Sequence, residues 1–139
     1  MLPKDFDDEF QDILHRMYRQ ELRQWCQYFS SQLLFTKVEL KQFITRNPRL
    51  LKYSITKLRD NVEFLKNDCY LDHATVKKMI RLQPSLLVHS IDNKLKPVVK
   101  FIRNDLQMED RWKRIISRYP QVLSIPSSTL TAKVRISMI

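Results

Sequence analysis

A proline recurs at a constant interval of 36 residues, and similar residues surround it each time. The three segments are FITRNPRLL at 43–51, MIRLQPSLL at 79–87 and IISRYPQVL at 115–123. An isoleucine precedes each proline by four residues. Self-similarity at such a period is typical of repeat proteins, in which each repeat buries its apolar face against the next. The proline and leucine positions that define the repeat are Pro48, Pro84, Pro120, Leu51, Leu87 and Leu123.

Each repeat is predicted to contain two helices. Apolar residues stand eight, five and four residues before the proline, and this spacing places them on one side of a helix. Proline pushes its predecessor out of the α region and ends that helix. The first helices therefore end at Asn47, Gln83 and Tyr119. The second helices are predicted over 56–67, 93–104 and 129–139.

The ends of these helices carry their own signals. Thr36 and Glu39 form a capping box, and Asp72 is a good N-cap. Pro97 is tolerated if it lies in the first turn of its helix, where its missing N–H costs little. In a chain without glycine, Asn67 and Asn104 are expected to end their helices as left-handed caps.

The whole chain is predicted to be an all-α protein, an α-solenoid of period 36 with an N-terminal helical extension. Residues 1–37 form the extension, because Leu22, Cys26 and Phe29 stand 36 residues before apolar positions of a second helix. Residues 38–139 contain the three repeats. Their predicted bounds are 38–73, 74–109 and an incomplete repeat over 110–139. An ordinary helical bundle with chance prolines is the alternative.

Composition excludes several classes of enzyme. The 139 residues contain no glycine, so the chain has no P-loop, no dinucleotide-binding fingerprint and no nucleophile elbow. Ser54 and Ser90 are interpreted as turn or cap serines. His15, His73 and His89 share no metal-ligand spacing, and Cys26 and Cys69 are interpreted as reduced core residues. We expect no catalytic residues, no metal and no cofactor.

The net charge of +10 favours a polyanionic partner. The first twelve residues hold one lysine and five acids, net −4, so the rest of the chain carries +14. The acidic head is predicted to cap the solenoid or to dock on a neighbouring protein. Its acids are untypical of a transit peptide, and no apolar run is long enough to cross a membrane.

Cations occupy the face of each first helix that lies opposite the apolar positions. Stacked repeats would align them as a basic stripe for phosphates, whereas an ordinary solvated helix face is the simpler alternative. Further cations lie on the second helix of the middle repeat. The candidate nucleic-acid-binding residues are Lys41, Arg46, Lys77, Lys78, Arg81, Lys100, Arg103, Lys113, Arg114 and Arg118.

Four aromatic residues are candidates for stacking on unpaired bases. Trp112 and Tyr119 occupy or flank packing positions, which favours the core for both. Tyr53 and Tyr70 lie near turns, where the sequence leaves stacking and packing equally open.

The repeats resemble those of the mitochondrial transcription termination factor (mTERF) family. The likeness covers roughly residues 38–139 and rests on the recurring Pro-x-x-Leu element. The segment MIRLQPSLLVHSIDNKLKPVVKFIRNDLQM at 79–108 is similar throughout. The resemblance implies two helices and a short 3₁₀ turn per repeat. It also implies a role in organellar gene expression and a location in the mitochondrial matrix. The partners it implies are duplex DNA, ribosomal RNA or ribosomal proteins.

Three functions follow. Small size, strong basicity and few repeats favour a structural subunit of the mitochondrial ribosome that contacts rRNA. A transcription factor that binds double-stranded DNA is the first alternative, and a protein-interaction scaffold is the second. An enzyme is not expected, and neither is a membrane partner.

Overall fold

The computed structural model describes residues 22–105, 109–126 and 128–130, and the chain is mainly helical there. No strand forms in these ranges, which confirms the all-α prediction. The helices are α1 (22–32), α2 (Lys37–Arg46), α3 (Ile55–Glu63), α4 (His73–Leu82), α5 (Lys96–Lys100) and α6 (Arg111–Arg118). A π-helical turn at Phe64–Asp68 follows α3, and two more, Ile91–Leu95 and Phe101–Asp105, flank α5. The acidic head and most of the predicted last helix, 131–139, lie outside the described residues.

A 3₁₀ turn follows each of the three repeat prolines, as the family resemblance implies. The turns are Pro48–Lys52, Pro84–Leu87 and Pro120–Ser124. The residue before each proline has φ between −127° and −137° and ψ between 55° and 79°, outside the α region. Proline disfavours the α region for its predecessor, so the helix does not continue through these residues. The predicted helix ends at Asn47, Gln83 and Tyr119 are therefore confirmed.

Both predicted N-caps are present. The Thr36 hydroxyl accepts a hydrogen bond from the Glu39 N–H, and the Thr36 N–H donates to the Glu39 carboxylate at 2.9 Å. The Asp72 carboxylate accepts from the Thr75 N–H at 2.7 Å. Each cap satisfies backbone donors that the first turn of a helix leaves without an internal partner.

The prediction of left-handed caps at Asn67 and Asn104 is wrong, because both residues lie inside π-helical turns that extend their helices. After the π-helical turn that contains Asn67, the positive φ falls on Tyr70, at 56°. The Leu71 N–H then donates to the Leu65 carbonyl and closes the turn. The same hydrogen bond and a positive φ recur 36 residues earlier, at the end of α1, where Leu34 has φ 55°.

Pro97 lies in the first turn of α5, as expected, but α5 is not where the helical run begins. Pro97 is the second residue of α5, but the helical run begins six residues before it, at Ile91. In the π-helical turn the Leu95 N–H bonds to the Ser90 carbonyl, and the Lys96 N–H bonds to that of Ile91. This wider turn lies just before Pro97. At that position a regular α-helix would need an N–H donor, which proline lacks.

The chain divides into two compact units, Met1–Asp60 and Asn61–Ile139, called here the N-terminal and C-terminal units. In the N-terminal unit an aromatic cluster forms the core. Trp25 stacks on Phe29 with ring centroids 4.9 Å apart, and Phe35 meets Phe29 edge-on at 5.3 Å. Leu22, Cys26 and Phe29, which the sequence aligns with a second helix, are all buried.

In the C-terminal unit α4 packs against α6, and both contact the 3₁₀ turn at Pro120–Ser124. The core-facing residues of α4 are buried, as predicted, and so are Trp112 and Ile116 of α6. Burying one such side chain contributes roughly 1.5–3 kcal/mol. The repeat leucines Leu51, Leu87 and Leu123 are all buried. The bounds of the three repeats remain a prediction.

Candidate nucleic-acid interface

The packing of α4 against α6 leaves a basic groove between them, called here the α4–α6 groove. Lys78 reaches it from α4, and Arg114 and Arg118 reach it from α6, one helical turn apart. Two hydroxyl residues, Thr75 and Ser117, complete the lining. The groove is an open cavity of about 430 Å³. Residues three and four apart share one helix face, and the packing of α4 against α6 brings the two faces together.

Three positive charges converge in the α4–α6 groove, and none of its five lining residues is acidic. Lys78, Arg114 and Arg118 are exposed, so solvent and an anion can reach them. Mutual repulsion of like charges is relieved when an anion binds among them. Arginine forks and a lysine ammonium are the donors that phosphate oxygens accept best. The groove therefore has the chemistry of a phosphate-binding surface.

One carboxylate lies next to the α4–α6 groove. Asp72 caps α4, and hydrogen bonds from the Thr75 side chain and backbone hold the pKa of Asp72 below its ordinary value. Asp72 thus stays ionised and keeps Thr75 in place at the groove wall. Its charge satisfies the helix N-terminus instead of pairing with the groove cations.

The structure brings three of the ten predicted binding residues into this groove and places the others elsewhere. Lys77 and Arg81 lie on α4 but do not line it, and Lys100 is exposed on α5. In the N-terminal unit, Lys41 and Arg46 line an open cavity of about 500 Å³ along α2. Val38, Gln42 and Thr45 complete its lining.

Arg103 and Lys113 surround a tyrosine. The Arg103 guanidinium lies 5.7 Å from the ring centroid of Tyr70, and the Lys113 ammonium lies 5.5 Å from the same centroid. Arg103 also lies 5.1 Å from the ring of Trp112, which is buried. The prediction that Trp112 belongs to the core is confirmed. For Tyr119 it is wrong: the side chain is 50% exposed, because the residue stands where the chain leaves α6.

Sequence reasoning missed a polar cluster that joins two 3₁₀ turns. The Gln83 side-chain amide donates to both Ser85 and Ser124 at 2.9 Å, and His89 Nε2 lies 2.9 Å from the Ser124 hydroxyl. The cluster joins residues that are 35 to 41 positions apart in sequence, so no local sequence pattern indicates it. Gln83 and Ser85 flank Pro84, and Ser124 ends the 3₁₀ turn that begins at Pro120, so the cluster joins the two turns.

Ser54 and Ser90 act as caps, as predicted. Each hydroxyl accepts a backbone N–H three residues later, from Lys57 and Asn93 respectively. Both hydroxyls are thereby committed to the backbone. The absence of enzymatic activity remains a prediction.

Both cysteines are buried free thiols. Burial raises the pKa of Cys26 to about 11 and that of Cys69 to about 12, so neither forms a reactive thiolate at neutral pH. In the part of the chain that the structure describes, no three His, Cys, Asp or Glu residues come close enough to hold a metal ion. None of the helices described there is long and apolar enough to span a bilayer.

The fold and the groove define a helical protein in which proline-terminated helices alternate with 3₁₀ turns and present a basic surface. Residues 70–136 match the mTERF family model. Over 90 residues, 65% of its length, the chain is 27% identical to the chloroplastic transcription termination factor MTERF8 of Arabidopsis thaliana. It spans only 18% of that relative. The segment 70–136 is therefore similar to mTERF proteins, and it carries the match to the family.

Proposed function

We propose that this chain is a non-enzymatic nucleic-acid-binding protein of organellar gene expression. The carrying observation is the α4–α6 groove, where Lys78, Arg114 and Arg118 meet without an acidic side chain among the lining residues. The match of residues 70–136 to the mTERF family model supports the proposal, and the similar protein MTERF8 is named as a transcription termination factor of the chloroplast. The net charge of +10 supports it as well.

The groove belongs to a longer basic stripe on a solenoid. In this proposal the repeats at 38–73, 74–109 and 110–139 stack with a period of 36. Lys41, Lys77 and Lys113 hold the same position, seven residues before the repeat proline. The recurrence of the 3₁₀ turn after each proline supports this arrangement.

Within this function, the ligand we favour is rRNA, and the role is that of a structural subunit of the mitochondrial ribosome. Strong basicity supports it, because a chain with a net charge of +10 is well suited to lie along the phosphates of a large RNA. The acidic head would contact neighbouring proteins of the assembly. The test must distinguish this ribosomal role from two alternatives: a regulator of transcription on duplex DNA, and a protein-interaction scaffold.

Sedimentation of the epitope-tagged protein from mitochondrial and chloroplast lysates tests the proposal. Co-migration with a ribosomal subunit that is lost on ribonuclease digestion supports the ribosomal role. Co-migration with nucleoids that is lost on deoxyribonuclease digestion contradicts it and supports the DNA-binding alternative. Migration as a small species under all conditions contradicts nucleic-acid binding in the organelle and supports a scaffold.

A further inference from the structure

Tyr70 presents an exposed aromatic ring on an anchored backbone. The side chain is 61% exposed, whereas its neighbours Cys69 and Leu71 are buried. The Cys69 N–H donates to the Phe64 carbonyl and the Leu71 N–H donates to that of Leu65, so both sides of the residue are fixed. A tyrosine with positive φ costs free energy that glycine or asparagine would avoid. The turn thus holds a large ring in solvent at a fixed place.

Two cations are held beside this ring. Arg103 lies against both Tyr70 and the buried Trp112, which limits the freedom of its guanidinium. Lys113 lies 5.5 Å from the Tyr70 ring centroid. Within the described part of the chain, neither cation forms an ion pair with a carboxylate. Both charges thus remain available to a phosphate that approaches the ring.

The helix that supplies two arginines to the α4–α6 groove also supplies a cation to the Tyr70 ring. Lys113 and Arg114 are consecutive residues of α6, one beside Tyr70 and the other in the groove. A bound strand that continues from the groove around the first turn of α6 would reach the ring. Aromatic faces next to phosphate-binding cations are typical of proteins that bind unpaired nucleotides.

We propose that Tyr70, Arg103 and Lys113 form a stacking site for an unpaired base, with the two cations on the phosphates beside that base. The site rests on the proposed function and deepens it by naming the substrate class: a nucleic acid with a single-stranded segment next to a duplex. Exposed Asp68 and Asp110 lie nearby in sequence and weaken the attraction for phosphate alone. Stacking on the ring is therefore expected to supply much of the binding free energy.

Fluorescence anisotropy with two RNAs tests the site: a blunt duplex, and the same duplex with a four-nucleotide 3′ extension. Tyr70→Asn removes the ring but suits the left-handed backbone. It is expected to weaken binding of the extended RNA about tenfold, within the range for loss of one stacked base, while blunt-duplex binding is unchanged. Tyr70→Trp should restore tight binding of the extended RNA. Tyr53→Asn, which removes another exposed tyrosine, is the control.

The outcomes separate this site from the proposed function. If Tyr70→Asn binds both RNAs like the wild type, the stacking site is wrong while nucleic-acid binding stands. An equal loss for both RNAs also contradicts stacking, because it indicates a general change in the surface. If the wild-type protein binds neither RNA nor the matching DNAs, the proposed function itself fails. Circular dichroism of every variant confirms that its helices are intact.

Discussion

Asn61 is a buried polar side chain that holds a turn of the C-terminal unit. It is fully buried, and its amide donates to the carbonyls of Leu86 and His89 at 2.7 and 2.9 Å. The Leu86 carbonyl lies in the 3₁₀ turn Pro84–Leu87, and the His89 carbonyl lies two residues beyond it. Its own carbonyl oxygen has no partner, a cost that the two donated bonds offset.

Asn61→Ala is expected to lower the free energy of unfolding by about 2 kcal/mol, because two carbonyls lose their donor and one of these hydrogen bonds is buried. Urea unfolding followed by circular dichroism measures the change. Asn104→Ala, at an exposed asparagine, is the matched control and should stay within about 0.5 kcal/mol of the wild type. Equal effects of the two substitutions would contradict a structural role for Asn61.

Asp72 gives a prediction for pH dependence. Its native pKa is lowered by the hydrogen bonds from Thr75, so the carboxylate stabilises α4 above the ordinary aspartate pKa, about 3.9. That contribution is lost as the pH falls through the lowered native pKa. An NMR titration of the Asp72 carboxyl carbon should give a pKa below the ordinary value, and Thr75→Val should raise it. An ordinary pKa in the wild type would contradict this.

At the scale of elements, proline and capping rules predicted where the first helices of the repeats end and where two of them begin. The ends of α2, α4 and α6 follow from a proline that forces its predecessor out of the α region. The π-helical turn after α3 was not predictable, because it depends on the packing of Phe64 and Leu65 within the fold. Asn67 therefore lies inside the helical run, and the residue with positive φ is Tyr70.

The capping box of α2 can be tested directly. Thr36→Ala removes the acceptor of the Glu39 N–H and should cost about 1 kcal/mol of unfolding free energy in urea. Thr45→Ala, at an exposed position inside the same helix, is the control. It should be neutral or slightly stabilising, since alanine is the better helix former. If the two variants are equally stable, the box contributes nothing to α2.

At the scale of the whole molecule, the basic groove was only partly predictable. The sequence placed lysines and arginines on the correct face of α4 and α6, which is why Lys78, Arg114 and Arg118 appear among the candidates. It did not show that Thr75 and Ser117 line the same groove. Nor did it show that Arg103 and Lys113 would turn toward Tyr70. Those outcomes depend on how α4, α5 and α6 pack in space.

Charge reversal in the α4–α6 groove tests the central claim through the salt dependence of RNA binding. The test variant combines Lys78→Glu, Arg114→Glu and Arg118→Glu. The control combines Arg23→Glu, Arg49→Glu and Lys52→Glu at exposed positions, with the same change in net charge.

Anisotropy at several salt concentrations gives the slope of log affinity against log salt for each protein. We predict that the groove variant binds at least about tenfold more weakly and that its slope is smaller by about two to three, one phosphate contact per lost cation. The control should keep the wild-type slope. Equal slopes and affinities for the two triple variants would contradict the account, because binding would then follow net charge and not the groove.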